Sequence, residues 1–131
     1  MKNYDDAALT GREEMVMKCI WDHQGPISAV ETQQALKDKY DLSFERPTIT
    51  TFIVHLRDKG FLGCYKKGQI YYYYPLVTEE AYTAQRAKQF TDFWFHGSAA
   101  KFLRALSGAE QNNITSEELD EIQKIIDGLD E

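Results

Sequence analysis

The side chains best suited to chemistry are small and polar: Thr48, Thr50, Thr51 and His55 recur within 46–58, beside Ile49, Phe52, Ile53 and Leu56. The four apolar residues fall at helical spacing, and exposing all of them would be costly, so they are expected to turn inward. The opposite side then carries Thr48, Thr51, His55 and Asp58, with Thr50, Val54 and Arg57 at its flanks. Threonine and histidine contact base edges or phosphates, and a threonine methyl or Val54 packs against a thymine methyl. Arg46 precedes this face, and Lys66 and Lys67 follow it at the expected tip of a β-hairpin. Three cations so placed suit the neutralisation of phosphates, which fixes register on a duplex. The chemistry implied is contact with double-stranded DNA, relying on backbone contacts and DNA shape more than on strong bidentate pairs.

Other chemistries find little support. His23, His55 and His96 lie on separate segments, with no cysteine or carboxylate at ligand spacing. His23 is expected to complement a helix end and His96 to lie in a loop. There is no glycine-rich phosphate loop and no nucleophile elbow, so no catalytic residue, metal site or cofactor is expected. Cys19 and Cys64 are too few and too scattered for a disulfide framework or a zinc site and are expected to stay reduced. No apolar run approaches the roughly 18 residues of a membrane span. The first residues, Met1-Lys2-Asn3-Tyr4-Asp5-Asp6, lack a signal-peptide core, so a cytoplasmic location is expected.

The net charge of −6 over 131 residues disfavours nucleic acid at first sight. Its distribution changes that conclusion. Residues 37–75 hold seven basic and four acidic side chains, whereas residues 83–131 hold five basic and nine acidic. Such asymmetry leaves one part of an acidic protein basic. At 43% hydrophobic and 27% charged, the composition is that of an ordinary globular chain.

The elements that must position these residues begin with Thr10-Gly11-Arg12-Glu13, a capping box that opens a first helix. Val16, Met17, Ile20 and Trp21 supply its apolar face, and Gly25-Pro26 stops it. Ser28-Ala29-Val30-Glu31 is a second box, opening a helix to about Lys39 with Val30, Ala35 and Leu36 as its apolar positions. Pro47 suits the first turn of a third helix, which Gly60 ends. A hairpin should follow, from Phe61 to Tyr65 and from Ile70 to Tyr74, turning at Lys66-Lys67-Gly68-Gln69. The tyrosine run 71–74 is expected to pack its strand onto the first helix.

Beyond Thr78 the character changes. A long helix should run to about Phe95, followed by a short one from Ala99 to Leu106 and a last one opened by Thr115-Ser116-Glu117-Glu118. Phe90, Phe93, Trp94, Phe95, Phe102, Leu103 and Leu106, with Leu119, Ile122, Ile125, Ile126 and Leu129, form an apolar set. About 50 residues are too few to enclose it as an independent core, so it is expected to pack against a second copy.

Helix, helix, helix, hairpin is the order of a winged helix-turn-helix, whose third helix enters the major groove. The expected fold is mainly α with a small β-hairpin: a winged-helix domain over 1–77 and a helical dimerisation arm over 78–131. Two alternatives use the same elements. In one, the third helix docks a protein instead of DNA; in the other, the C-terminal aromatics line a ligand pocket in a DNA-binding sensor.

The sequence also resembles a known family. Leu9-Thr10, Glu13, Val16-Met17 and Ile20-Trp21 are similar to the first helix of the penicillinase and methicillin-resistance repressors, the BlaI/MecI/CopY group. So are Thr48, Thr51, Leu56, Lys59-Gly60-Phe61-Leu62 and Tyr73-Tyr74-Pro75-Leu76-Val77 to later parts of those repressors, so the resemblance covers residues 9–82 well and the remainder more weakly. It implies a homodimeric bacterial repressor that binds a palindromic operator and dimerises through interlocked C-terminal helices. In antibiotic-responsive members a membrane sensor protease pathway leads to cutting at an Asn-Phe bond. This chain has no Asn-Phe pair and reads Leu103-Arg104-Ala105-Leu106 at the corresponding place. Copper-responsive members carry C-terminal Cys-x-Cys ligands, whereas here no cysteine follows Cys64. Thr50, Val54 and His55 also depart from relatives, so a different operator is expected.

Overall fold

The computed structural model describes residues 9–108 and 115–129; the side chain of Leu129 lies outside the described set. Its elements are α1 (Gly11–Asp22), β1 (Ile27–Ser28), α2 (Ala29–Tyr40), α3 (Arg46–Asp58), β2 (Leu62–Lys67), β3 (Ile70–Pro75), α4 (Glu79–Phe95), α5 (Ala99–Ser107) and α6 (Ser116–Leu129). The fold is therefore mainly helical, a winged helix-turn-helix followed by a helical arm.

Both N-terminal capping boxes form. Thr10 Oγ1 accepts from the amide of Glu13 at 3.2 Å, and the Glu13 carboxylate accepts from the amide of Thr10 at 2.8 Å. Ser28 and Glu31 repeat the pattern at 3.2 and 3.0 Å. Each box satisfies two amides that a helix start leaves without intrahelical partners. α1, α2 and α3 then converge on one core in which Val16, Met17, Ile20, Leu36, Ile49, Ile53, Leu56 and Phe61 are buried. Val30, expected among these residues, is instead 52% exposed. Val30 lies six residues before Leu36, about a third of a turn away in phase, whereas Thr32, four residues before it, shares the inward face of Leu36. The Thr32 hydroxyl, fully buried, donates to the Ser28 carbonyl at 2.8 Å.

The sheet holds one strand more than expected. Its order is β1-β3-β2, with Ile27 opposite Tyr73 and Ser28 opposite Tyr72. A two-residue strand has no alternation to read, but it buries Ile27 and ties the start of α2 to the hairpin. The hairpin turn is also tighter than expected. Lys67 pairs with Ile70 across Gly68-Gln69, and Gly68 alone of the two has positive φ, at 64°. That is the type II′ arrangement, with glycine at the first central position. Lys66 and Lys67 are thus strand residues whose side chains leave opposite faces. Of the tyrosine run, Tyr73 packs against the core and Tyr72 is half-buried, while Tyr71 and Tyr74 are exposed. Tyr65, Tyr72 and Tyr74 associate with one another on the outer face, and Gly63 admits the Tyr74 ring where an added Cβ would lie 2.6 Å from Cζ.

Contacts divide the chain after Gln85, within α4. The first turns of α4 belong to the N-terminal unit: Tyr82 is buried there, its hydroxyl donates to Glu14 at 2.6 Å, and Lys18 pairs with Glu79. The Trp21 indole donates to the Val77 carbonyl at 2.9 Å.

The unit from Arg86 onward contains the rest of α4, α5 and α6. Ser98 caps α5 and Thr115 caps α6, each hydroxyl accepting a backbone amide at 3.1 Å. Phe90, Phe95 and Phe102 form an aromatic triangle with centroids 5.5 to 6.0 Å apart. Among the described residues of this unit none is buried; Phe93, Trp94 and Ile125 are 74%, 62% and 64% exposed. No helix among the described residues is long and apolar enough to cross a membrane.

Candidate nucleic-acid interface

α3 sorts its residues by phase. Ile49, Ile53 and Leu56 are buried, Phe52 is half-buried against Phe44, and Arg46, Thr48, Thr50, Thr51, Val54 and His55 are all exposed. The Thr50 hydroxyl donates to the Arg46 carbonyl at 3.1 Å, and the Thr51 hydroxyl donates to that of Pro47 at 3.0 Å. These bonds commit the hydroxyl protons to the helix. Each oxygen keeps acceptor capacity, so these two threonines meet an incoming surface as acceptors and methyl groups.

The wing lies beside the start of this helix. Arg46, Gln69, Ile70 and Tyr71 line one open cleft. The Lys66 ammonium sits 5.5 Å from the Tyr71 ring centroid, on the face that also carries Tyr73, whereas Lys67 shares the other face with Ile70. Arg46 and the wing tip are thus brought together. Gln69 and Tyr71 join them, although in the sequence Tyr71 reads only as part of a packing strand.

Glu13 occupies a position that its sequence context does not disclose. Its side chain is 3% exposed, and Oε1 accepts from Lys59 Nζ at 2.7 Å as well as from the amide of Thr10. Oε2 lies 3.8 Å from His55 Nδ1, in ion-pair range when the imidazole is protonated. The first helix cap therefore also holds the end of α3. Burial pushes the Glu13 carboxyl up, but the bonds from Lys59 and Thr10 outweigh it, and the net shift is below the ordinary carboxylate value. A lowered carboxyl stabilises the fold above its unfolded pKa, and the contribution disappears as pH falls through the lower folded value. Thermal melts should accordingly show stability declining below about pH 4.5, with a shallower decline in Glu13→Gln; equal slopes would show that Glu13 is not responsible.

The remaining histidines do not join His55. His23 Nδ1 lies 3.0 Å from the Gly25 carbonyl oxygen, and His96 adopts a left-handed backbone with φ 52°. Cys19 is buried, which pushes its thiol up, and Cys64 is half-buried. No group of three metal-ligating side chains occurs among the described residues.

The profile of the penicillinase repressor family matches residues 9–128. The chain belongs to that family. It is 28% identical over 120 residues to the penicillinase repressor of Bacillus licheniformis, covering 91% of this chain and 89% of that one. It is 27% identical over 120 residues to the methicillin resistance regulatory protein MecI of Staphylococcus aureus strain N315, covering 90% and 92%. Among solved structures it is similar to the DNA-binding domain of the repressor BlaI, with 30% identity and a TM-score of 0.51 over 63% of this chain and 94% of that one. The penicillinase repressor match extends through both compact units, and the family is one of repressors rather than of enzymes.

Proposed function

We propose that this chain is a homodimeric transcriptional repressor that binds a palindromic operator, placing one α3 in the major groove of each half-site. The observation that carries this reading is the sorting of α3, which buries its aliphatic residues and leaves a threonine- and histidine-rich face exposed beside a lysine-bearing wing. Thr48, Thr50, Thr51 and His55 contact the groove, with Val54 available to a thymine methyl. Arg46, Lys66 and Lys67 meet backbone phosphates. Membership of a repressor family and likeness to a solved DNA-binding domain support the assignment.

The second subunit is recruited through the helices after Gln85, which lie within the arm expected over 78–131. Phe93, Trp94, Leu119, Ile125 and Ile126 are exposed and Phe102, Leu103 and Ile122 half-buried, a set with no enclosing core among the described residues. Phe90, Phe95 and Leu106 complete it, while the Leu129 side chain assigned to the same ridge lies outside the described residues. Two-fold protein symmetry matches two-fold operator symmetry. The protein acts in the cytoplasm, where its DNA lies. Release through a sensor protease cutting at Asn-Phe forms no part of the proposal, because the sequence lacks that bond.

Selection from a randomised duplex pool followed by binding across a salt series tests the reading. A palindrome should be enriched, and Lys66→Ala with Lys67→Ala should weaken binding to every duplex, reducing the salt slope by about 1 for each phosphate no longer neutralised. Thr51→Ala should instead cost about 1 kcal/mol on the selected site and little on random DNA. Salt-insensitive behaviour, or no enrichment, would favour a protein-docking module.

A further inference from the structure

We propose that Glu13 is a positioning residue for DNA recognition: its buried carboxylate fixes the rotation of α3 and thereby the face presented to the groove. The inference rests on the proposed operator binding but concerns a residue outside the contact surface. Glu13 belongs to the first turn of α1, and its partners Lys59 and His55 belong to the end of α3. Lys59 is the C-cap of α3, and its amide donates to the His55 carbonyl at 3.0 Å, so the two partners are one helical turn apart. Burial of Ile49, Ile53 and Leu56 sets the inward side of α3, and the Lys59 bond adds a directional polar tie at its C-terminal end that opposes small rotations and slides.

The anchor is itself fixed. Glu13 Oε1 accepts from the Thr10 amide at 2.8 Å and Thr10 Oγ1 accepts from the Glu13 amide at 3.2 Å, so the carboxylate has little freedom to follow Lys59. The Lys59 bond at 2.7 Å is charge-assisted and stronger than a neutral one. Neighbouring His55 and Thr51, one turn apart on α3, are both exposed, so a rotation at Lys59 displaces the residues placed in the groove.

The test uses the full chain and compares affinity for a duplex enriched by the wild-type protein with affinity for random duplex. The ratio of these affinities is insensitive to the fraction of protein folded, because unfolding lowers both equally. Glu13→Gln keeps an oxygen for the Thr10 amide, which glutamine serves in capping boxes, but removes the charge. The selected-to-random ratio is expected to fall about tenfold, as appropriate to loss of a charge-assisted anchor. Lys59→Met, at the other end of the same bond, should lower the ratio similarly. The double variant should lose no more than either alone, the signature of one shared interaction. If wild-type protein enriches no sequence, operator binding and this inference both fall. If it enriches a sequence while Glu13→Gln keeps the wild-type ratio, or the two losses multiply, operator binding stands and the positioning role is overturned.

Discussion

Replacing Phe61 with alanine is expected to destabilise the N-terminal unit by about 3–5 kcal/mol, a large share of the roughly 5–15 kcal/mol that holds a domain folded. Phe61 is fully buried, and its ring meets Tyr82 edge-on at 5.5 Å. Its amide donates to the Leu56 carbonyl at 2.9 Å, and its own carbonyl accepts from the amide of Leu76 at 2.8 Å. One residue therefore joins the end of α3, the exit of the wing and the start of α4. Truncation leaves a cavity where these elements meet, and their backbones cannot readily close it. Urea unfolding followed by Trp21 fluorescence in a Trp94→Phe background measures the loss. A midpoint shift equivalent to less than about 1 kcal/mol would show that the ring contributes little, since surface substitutions already span half that range.

The second large effect is expected in the arm. Phe93→Asp together with Trp94→Asp places two carboxylates on an exposed aromatic pair whose centroids are 4.9 Å apart. In a monomer these changes remove no buried side chain, because both residues are mostly exposed. In a dimer they bury charge without partners, which an interface does not tolerate. Sedimentation should then show a single subunit at micromolar concentration where the parent chain is a dimer. Affinity for a palindromic duplex should fall by roughly 10²–10⁴, the advantage normally gained by linking two binding modules. An unchanged sedimentation coefficient would remove Phe93 and Trp94 from the interface.

What the sequence disclosed and what it hid follow from the range of each interaction. Thr10 with Glu13, and Ser28 with Glu31, are decided within three residues, so both helix starts are legible. The phase of Ile49, Ile53 and Leu56 likewise defines the exposed side of α3. Glu13 with Lys59 spans 46 positions, and no local pattern marks it. β1 is legible only through its pairing with Tyr72 and Tyr73. The lysines differ from expectation for a subtler reason: Gly68 permits a two-residue turn, which moves both into β2 and onto opposite faces. The tyrosine run shows the limit of composition. Four identical side chains on one strand necessarily alternate, and the core accepts Tyr73 while Tyr71 and Tyr74 remain outside.

The absence of a buried side chain among the described residues after Gln85 has a consequence for control. If, as proposed, the arm gains its interior from a second subunit, its stability is set by mass action. Below the dissociation constant, the amount of paired protein grows as the square of copy number, so doubling expression quadruples the species able to occupy both halves of a promoter site. In the proposed dimer, dilution during growth would relieve repression in the same disproportionate way, giving the switch a threshold without any effector.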